Sequence, residues 1–404
     1  MANQVETYGI FKYLCTEHAY GSLTKTLNSI HCTEETLKSL KPIIKKGVIY
    51  GHMGQLVIND GIAYVTFLQN TGSDGEVHTS NTSSVVLSIF NVEKAMSDNF
   101  DPETDIDVYP LGSKGDSCAG YDSIEIFKDN SMCLVGDILY ICFSFMSADR
   151  ISRVFCKQFN IKTKEWVGEN KVDLLYKGQT MDFSDASLNV IYEDNGLLPR
   201  ASNLIEMVSA WSEYNGEYYA TGVTGGGPAN GFVVKTKDFR TMDFVDPLAF
   251  NDMGTAEVSS IIYHGKLYLA CRQHYGLPYL YLTSLNLETM TWEECYKVQD
   301  GNSRPWFFIY KDELYLWNTV SEASRIYANI SRIRTMDHKY RFYNEQHPIE
   351  TLATLKNCGR YFATAPHNGD IYYVAAAEPF AFGKLCLDFF DEDEVNKKLY
   401  EMFK

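Results

Sequence analysis

The chain has 404 residues and 45% of them are hydrophobic, which supplies a large core and excludes wholesale disorder. Lys and Arg number 36 against 52 Asp and Glu, a formal charge of −16. A field of that sign repels phosphate backbones and anionic lipid, so neither nucleic acid nor a membrane surface is an expected partner.

The N-terminus, Met1-Ala2-Asn3-Gln4-Val5-Glu6, has no basic stretch and no apolar run. No secretory leader is therefore expected, and the protein reads as cytoplasmic when synthesised. Carriage on a virion, or export without such a leader, is the alternative. Val5 to Leu14 reads as a strand and Thr33 to Lys46 as a short helix, together a closing segment over residues 1–47.

From residue 48 a unit recurs: a polar or Gly turn, an apolar residue, a Tyr, then more strand. The copies are Asn59-Asp60-Gly61-Ile62-Ala63-Tyr64, Gly136-Asp137-Ile138-Leu139-Tyr140, Asn215-Gly216-Glu217-Tyr218-Tyr219, His264-Gly265-Lys266-Leu267-Tyr268, Lys311-Asp312-Glu313-Leu314-Tyr315 and Asn368-Gly369-Asp370-Ile371-Tyr372. Asp-Gly and Asn-Gly tolerate positive φ, so each copy predicts a hairpin between two buried strands. The Tyr residues are 76, 79, 49, 47 and 57 positions apart. A four-stranded propeller blade needs roughly 40–50. The two wide gaps predict long loops at Val92 to Gly120 and Lys171 to Pro199.

Further strands follow each hairpin. Phe159 to Trp166 parallels Leu285 to Trp292 as a third strand, a turn and a fourth strand. Val233 to Phe244 and Ile326 to Tyr340 are weaker versions. The sixth unit has three strands: Arg360 to Ala365, Ile371 to Ala377 and Lys384 to Phe390. Val5 to Leu14 is assigned as its missing fourth, closing the ring and removing exposed edges. Asp391 to Phe403 predicts a helix with Asp391 as N-cap and Glu394 three residues on. The expected fold is all-β: a six-bladed β-propeller over 48–390, closed by an N-terminal strand, with short terminal helices, the last over 391–404. Five blades is the alternative count.

The ten cysteines are scattered and form no C-x-x-C pair, which points to buried free thiols rather than disulfides or a cysteine zinc site. No His/carboxylate spacing marks a metal, so no cofactor is expected; a structural calcium on loop oxygens leaves no such spacing and stays open.

The innermost strands of a propeller line its channel. Counting back 11 to 13 residues from each repeat Tyr reaches their starts and finds His52, Asp129, Glu206, Glu257, Arg304 and Arg360. Tyr121 and Asp122, or Arg200 and Asn203, are alternatives in the second and third blades. The loops on the same face carry Arg272-Gln273-His274-Tyr275-Gly276, Thr224-Gly225-Gly226-Gly227-Pro228, and the bracket Trp317, Asn318, Arg325. A ring of Arg, carboxylate, His and aromatic groups suits an acidic sugar, because Arg grips a carboxylate bidentately. His52, Glu206, Glu257 and Tyr275 are the candidate catalytic groups; Arg272, His274, Arg304, Arg360, Trp317 and Asp122 are the candidate binding groups. Paired carboxylates serve glycoside hydrolysis, and His with Tyr serves proton abstraction from a uronic acid. The structural alternatives are definite. The charges could satisfy one another across the channel. His52, in Tyr50-Gly51-His52-Met53-Gly54, could be a packing residue whose glycines let the backbone approach closely.

The six repeats, Ser303-Arg304-Pro305 at an inner-strand start and Thr291-Trp292 at a turn resemble the sialidase-like propeller superfamily and its BNR-repeat relatives. The resemblance covers about residues 48–390 at the level of architecture. The family's Ser-x-Asp-x-Gly-x-Thr-Trp box survives only as Thr291-Trp292. The resemblance implies three arginines on a substrate carboxylate, a role for Arg272, Arg304 and Arg360, together with a Tyr/Glu nucleophile pair and an Asp acid/base that no motif here assigns. Ulvan-lyase-like relatives use a His, a Tyr and an Arg instead, which His52, Tyr275 and Arg272 match in residue type. Two functions compete: a glycosidase or polysaccharide lyase, and a non-catalytic glycan- or receptor-binding propeller in a larger assembly such as a phage tail. A scaffold that binds protein through its two long loops is a third.

Overall fold

The computed structural model describes residues 19–20, 40–72, 81–197, 204–207, 209–225, 230–248, 255–273, 279–293, 295–299, 301, 303–319, 327–333, 349–356, 361–376 and 380–385. Their strands form six sheets of four or more strands each. The inner strands are Tyr50–Asn59, Ile126–Val135, Leu204–Met207 with Ser212–Tyr214, Thr255–Tyr263, Trp306–Tyr310 and Phe362–His367. Each sheet packs on the next and the last returns to the first. The expected β-propeller is the fold.

Local sterics make the hairpins. Asp60 and Gly61 both have positive φ, +49° and +75°, and so do Asn215–Gly216, His264–Gly265, Lys311–Asp312 and Asn368–Gly369. That is the signature of the two-residue turn whose twist matches paired strands. The next strands then pair residue for residue, as in Asn59 with Ile62 and Tyr263 with Lys266.

The core lies as wedges between neighbouring blades. Phe145 and Phe155 stack at 4.2 Å in the first–second wedge. Trp211 meets Phe239 edge-on in the second–third wedge. Trp317 is buried between Phe362 and Tyr373, with centroids at 4.5 and 5.0 Å. Full burial of such side chains contributes about 1.5–3 kcal/mol each. The glycines around His52 serve this packing: a Cβ on Gly51 or Gly54 would come within 2.5 or 2.6 Å of Phe380.

Several expectations change. Lys41–Pro42 is extended, not helical, and pairs with Ala381 and Phe382 as the outer strand of the sixth sheet. Pro42 cannot donate to a helix and biases Lys41 toward extended backbone. An N-terminal strand therefore supplies the sixth sheet's fourth strand, from a later segment than expected. Val5 to Leu14, residues 33–39 and the Asp391 to Phe403 helix lie outside the described residues. The stretch 92–120 is not one loop: Asp107–Ser113 is the outer strand of the first sheet, and its Pro110 is tolerated because that edge is open. The stretch 171–199 holds a hairpin, Asp173–Tyr176 with Gln179–Asp182, and the helix Asp185–Asp194 capped by Ser184. The fourth strand of the fifth sheet is Ile349–Lys356, beyond the 326–340 segment assigned to it.

Trp292 does not lie in the deep core. It is half-buried and donates its Nε1 hydrogen to Asp246 Oδ2 at 2.6 Å, tying the fourth blade to the third. Burial pushes the Asp246 carboxyl up to about 6, against the pull of that bond. The folded state thus prefers the proton: this stability is fully present below the unfolded value of 3.8 and is lost as pH rises through about 6. Asp246→Asn keeps an acceptor for Trp292 and removes the charge. It is expected to stabilise by about 3 kcal/mol at pH 7.5 and by nothing at pH 3.5, read from thermal melts at both. An equal effect at both pH values would refute this account.

Six cysteines are described, all buried and unbridged: Cys118, Cys133, Cys142, Cys156, Cys271 and Cys295. Among the described residues no helix is long and apolar enough to cross a membrane.

Candidate functional site

The inner strands are interrupted where they reach the channel mouth. Register shifts fall between His52 and Gln55, between Phe127 and Asn130, and between Ala256 and Val258. The third inner strand breaks between Met207 and Ser212. A bulge re-aims the side chain it carries and frees it from the alternation of the sheet. Asp129 and Glu257 sit on these bulges, which is how two acids occupy strands that are otherwise apolar.

Glu257 is the centre. Its Oε2 receives Arg272 Nη1 at 2.6 Å, and its Oε1 receives the hydroxyl of Tyr361. The ring of His52 lies 4.0 Å from that of Tyr361, tilted by 57°. The Arg304 guanidinium lies over the same ring at 5.4 Å and over Trp306 at 5.5 Å. Arg304 Nη2 donates to the carbonyl of Gly54 at 2.9 Å, and its Nη1 is 3.6 Å from Asp129 Oδ2. Lys128 and Glu206 form a neighbouring ion pair at 3.1 Å. Five blades contribute to the contacts around Glu257 and Asp129.

The backbone is strained where the key contact forms. Glu257 has φ +34° and Tyr361 φ +44°, each costing of order 1–3 kcal/mol for a side chain of this size. Burial alone would raise the Glu257 carboxyl; Arg272, the Tyr361 hydroxyl and Arg304 outweigh it and hold it below its ordinary value. Burial pushes the Asp129 carboxyl well above its ordinary value, with Arg304 opposing.

The cluster is not self-satisfied. Arg304 is wholly buried, yet its Nε and Nη1 have no hydrogen-bond partner among the described residues. The same holds for Arg272 Nε and Asp129 Oδ1. Native structures leave few such atoms, and these four belong to three residues of one cluster.

Of the residues that the count selects, the structure sets Glu257 on Arg272, Asp129 beside Arg304, Glu206 on Lys128, and His52 against Tyr361. Tyr275, His274 and Arg360 lie outside the described residues. Trp317 belongs to the core, because its strand turns that face away from the channel. Asp122 is exposed beside a turn closed by Cys118 and Tyr121. Tyr361 was missed. It lies 11 residues before Tyr372, inside the window counted back from the repeat, but a search for charged residues passes over a phenol. Among the described residues no group of three or more His, Cys, Asp or Glu side chains is placed to hold a metal ion.

No family model matches the chain, and no curated protein matches it. Solved structures do. The chain is similar to Trypanosoma rangeli sialidase in complex with the inhibitor DANA, with a TM-score of 0.57, 11% identity, and 91% of this chain and 61% of that chain covered. The same enzyme in complex with sialic acid gives 0.54, 12%, 92% and 60%. Its covalent intermediate with 2,3-difluorosialic acid gives 0.54, 11%, 91% and 59%. This chain thus spans about 60% of the length of those proteins. The likeness shows the fold, a sialidase-like β-propeller.

Proposed function

We propose that the chain is a glycoside hydrolase acting on an acidic sugar at the channel mouth, with Tyr361 as nucleophile and Glu257 as its base. The observation that carries this is the Tyr361 hydroxyl on Glu257 Oε1, with Arg272 on the other oxygen. A phenol is a poor nucleophile until a base takes its proton. Glu257, held ionised, is that base. A neutral phenol also approaches an anionic sugar without the repulsion that a carboxylate nucleophile would meet. Arg304 and Arg272 keep unfilled donors for the sugar's carboxylate. The sialic acid complex of the neighbouring fold supports a ligand of this class.

Incubation with 2,3-difluorosialic acid tests this. A single adduct is expected, mapped by peptide mass spectrometry to Tyr361. An adduct elsewhere, or none while a sialyl glycoside is still turned over, removes Tyr361 from its role. A second reading, a non-catalytic sugar-binding propeller in a larger assembly, draws on the near-complete burial of Glu257 and Arg304. It predicts sugar binding with neither turnover nor adduct.

A further inference from the structure

We propose that Cys142 and Cys156 form a redox site, whose two thiols a peroxide converts into a disulfide that staples the second blade. The site is separate from the channel mouth and independent of the hydrolase reading. Cys142 stands on Ile138–Met146 and Cys156 on Ser152–Asn160, the second and third strands of that blade. The two residues face each other directly in the antiparallel register. Such pairs alternate between hydrogen-bonded and open ones, and the neighbouring backbone bonds tell which this is. The amide of Val154 donates to Phe183, and its carbonyl accepts from Val172. Both groups therefore point away from Ser144, its partner in the second strand, and that pair is open. The register continues without a shift, so Phe155 with Phe143 is hydrogen-bonded and Cys156 with Cys142 is open again. An open pair brings its Cα atoms to about 4.5 Å. Disulfides span about 4.4–6.8 Å between Cα atoms, so the backbone already meets the requirement.

The side chains agree with the register. The Cys142 thiol donates to Cys156 Sγ, and the Cys156 thiol donates to the carbonyl of Lys157 at 3.7 Å. Both cysteines are wholly buried in the wedge between the second and third blades, with Val154, Val172 and Leu174. Cys133 shares the wedge but faces Tyr140, and Cys271, in the fourth blade, faces Val258 and Tyr281. On its other side Cys142 faces Ser131, which receives Trp211 Nε1 from the third blade at 3.0 Å. The pair thus stands at the seam that joins the two blades.

Atoms and electrons balance. One sulfur attacks a peroxide oxygen and becomes a sulfenic acid, and the other peroxide oxygen leaves as water with the thiol's proton. The second sulfur then displaces the sulfenic hydroxyl, which leaves as water with the second thiol's proton, and the S–S bond forms. The two sulfurs lose two electrons, and the cleaved O–O bond takes them. Hydrogen peroxide is little larger than water, so it needs a far smaller opening of the wedge than a peptide disulfide does. Burial holds the Cys142 thiol well above its ordinary value. The thiolate is therefore scarce, and the step quickens as pH rises. The product is apolar and suits its surroundings. It closes a loop of 15 residues, Cys142 through Cys156, which restricts the unfolded chain.

Treatment of the folded full-length protein with hydrogen peroxide at about pH 8.5 tests this. Trypsin together with a protease that cuts before Asp separates the three cysteines of the blade. Asp137 parts Cys133 from Cys142, and Arg150 and Arg153 part Cys142 from Cys156. Mass spectrometry is expected to find residues 137–148 linked to 154–157, two hydrogens lighter than the separate peptides and released by reductant. The oxidised protein should melt about 5 °C above the reduced one. Cys142→Ala combined with Cys156→Ala should abolish both the link and the shift, whereas Cys133→Ala should keep both. A link that joins other cysteines, thiols that stay unlinked in peroxide, or a shift that survives in the double variant overturns the proposal. The wild-type peptide map decides the matter if the double variant does not fold. Turnover of a sialyl glycoside, or its absence, bears on the hydrolase reading and leaves this site untouched.

Discussion

Tyr361→Phe is expected to lower kcat on a sialyl glycoside by about 10³-fold or more while ligand binding stays within tenfold of wild type. The substitution removes one oxygen. The ring keeps its contact with His52 at 4.0 Å and stays under Arg304 at 5.4 Å. The arginines proposed to receive the sugar's carboxylate are unchanged, so binding measured by calorimetry should persist. Glu257 loses one donor, a cost of about 1–3 kcal/mol for a buried acceptor, but Arg272 still holds its other oxygen. The loss therefore falls on kcat. A variant that keeps kcat within tenfold of wild type would show that the phenol only orders the channel. The mutual satisfaction of Glu257, Tyr361 and Arg272 would then be their whole role.

The repeats were legible because their cause is local. A turn such as Asp60–Gly61 or Asn368–Gly369 follows from which residues tolerate positive φ, and the apolar runs on both sides follow from strand burial. The channel ring was legible for a related reason. Strand rise is nearly constant, so a fixed count back from each Tyr reaches similar heights in every blade. It found Asp129 and Glu257 even though bulges displace both by a residue or two. The closing strand was not legible. Lys41–Pro42 is two residues long, carries no alternation, and pairs with Ala381 and Phe382 at an edge that no local pattern announces. Trp317 misled in the opposite sense: an aromatic near a loop reads as a sugar platform, but only the packing of Phe362 and Tyr373 decides which face it takes. The Tyr361–Glu257 contact joins residues 104 positions apart. No local rule distinguishes one of 28 tyrosines for that role.

The largest stability effect is expected at Glu257. Glu257→Ala leaves the Arg272 guanidinium, whose side chain is 12% exposed, without its counter-charge, and Arg304 loses a nearby anion. Breaking a buried pair from one side costs about 3–5 kcal/mol, because the remaining charge can neither be solvated nor shed its proton. Replacing both partners, as in Glu257→Leu with Arg272→Met, should recover much of that loss, since the pair itself is a poor source of net stability. The pH dependence has a definite sign. Glu257 is held below its unfolded value of 4.5, so its contribution is fully present above that value and is lost as the pH falls through the folded one. In urea titrations the difference between wild type and Glu257→Ala should be constant from pH 6 to 8 and should narrow below about pH 4. Were the single variant as stable as wild type at pH 7, Arg272 would have another anion within reach. The central position given to Glu257 would then pass to whichever group supplies it.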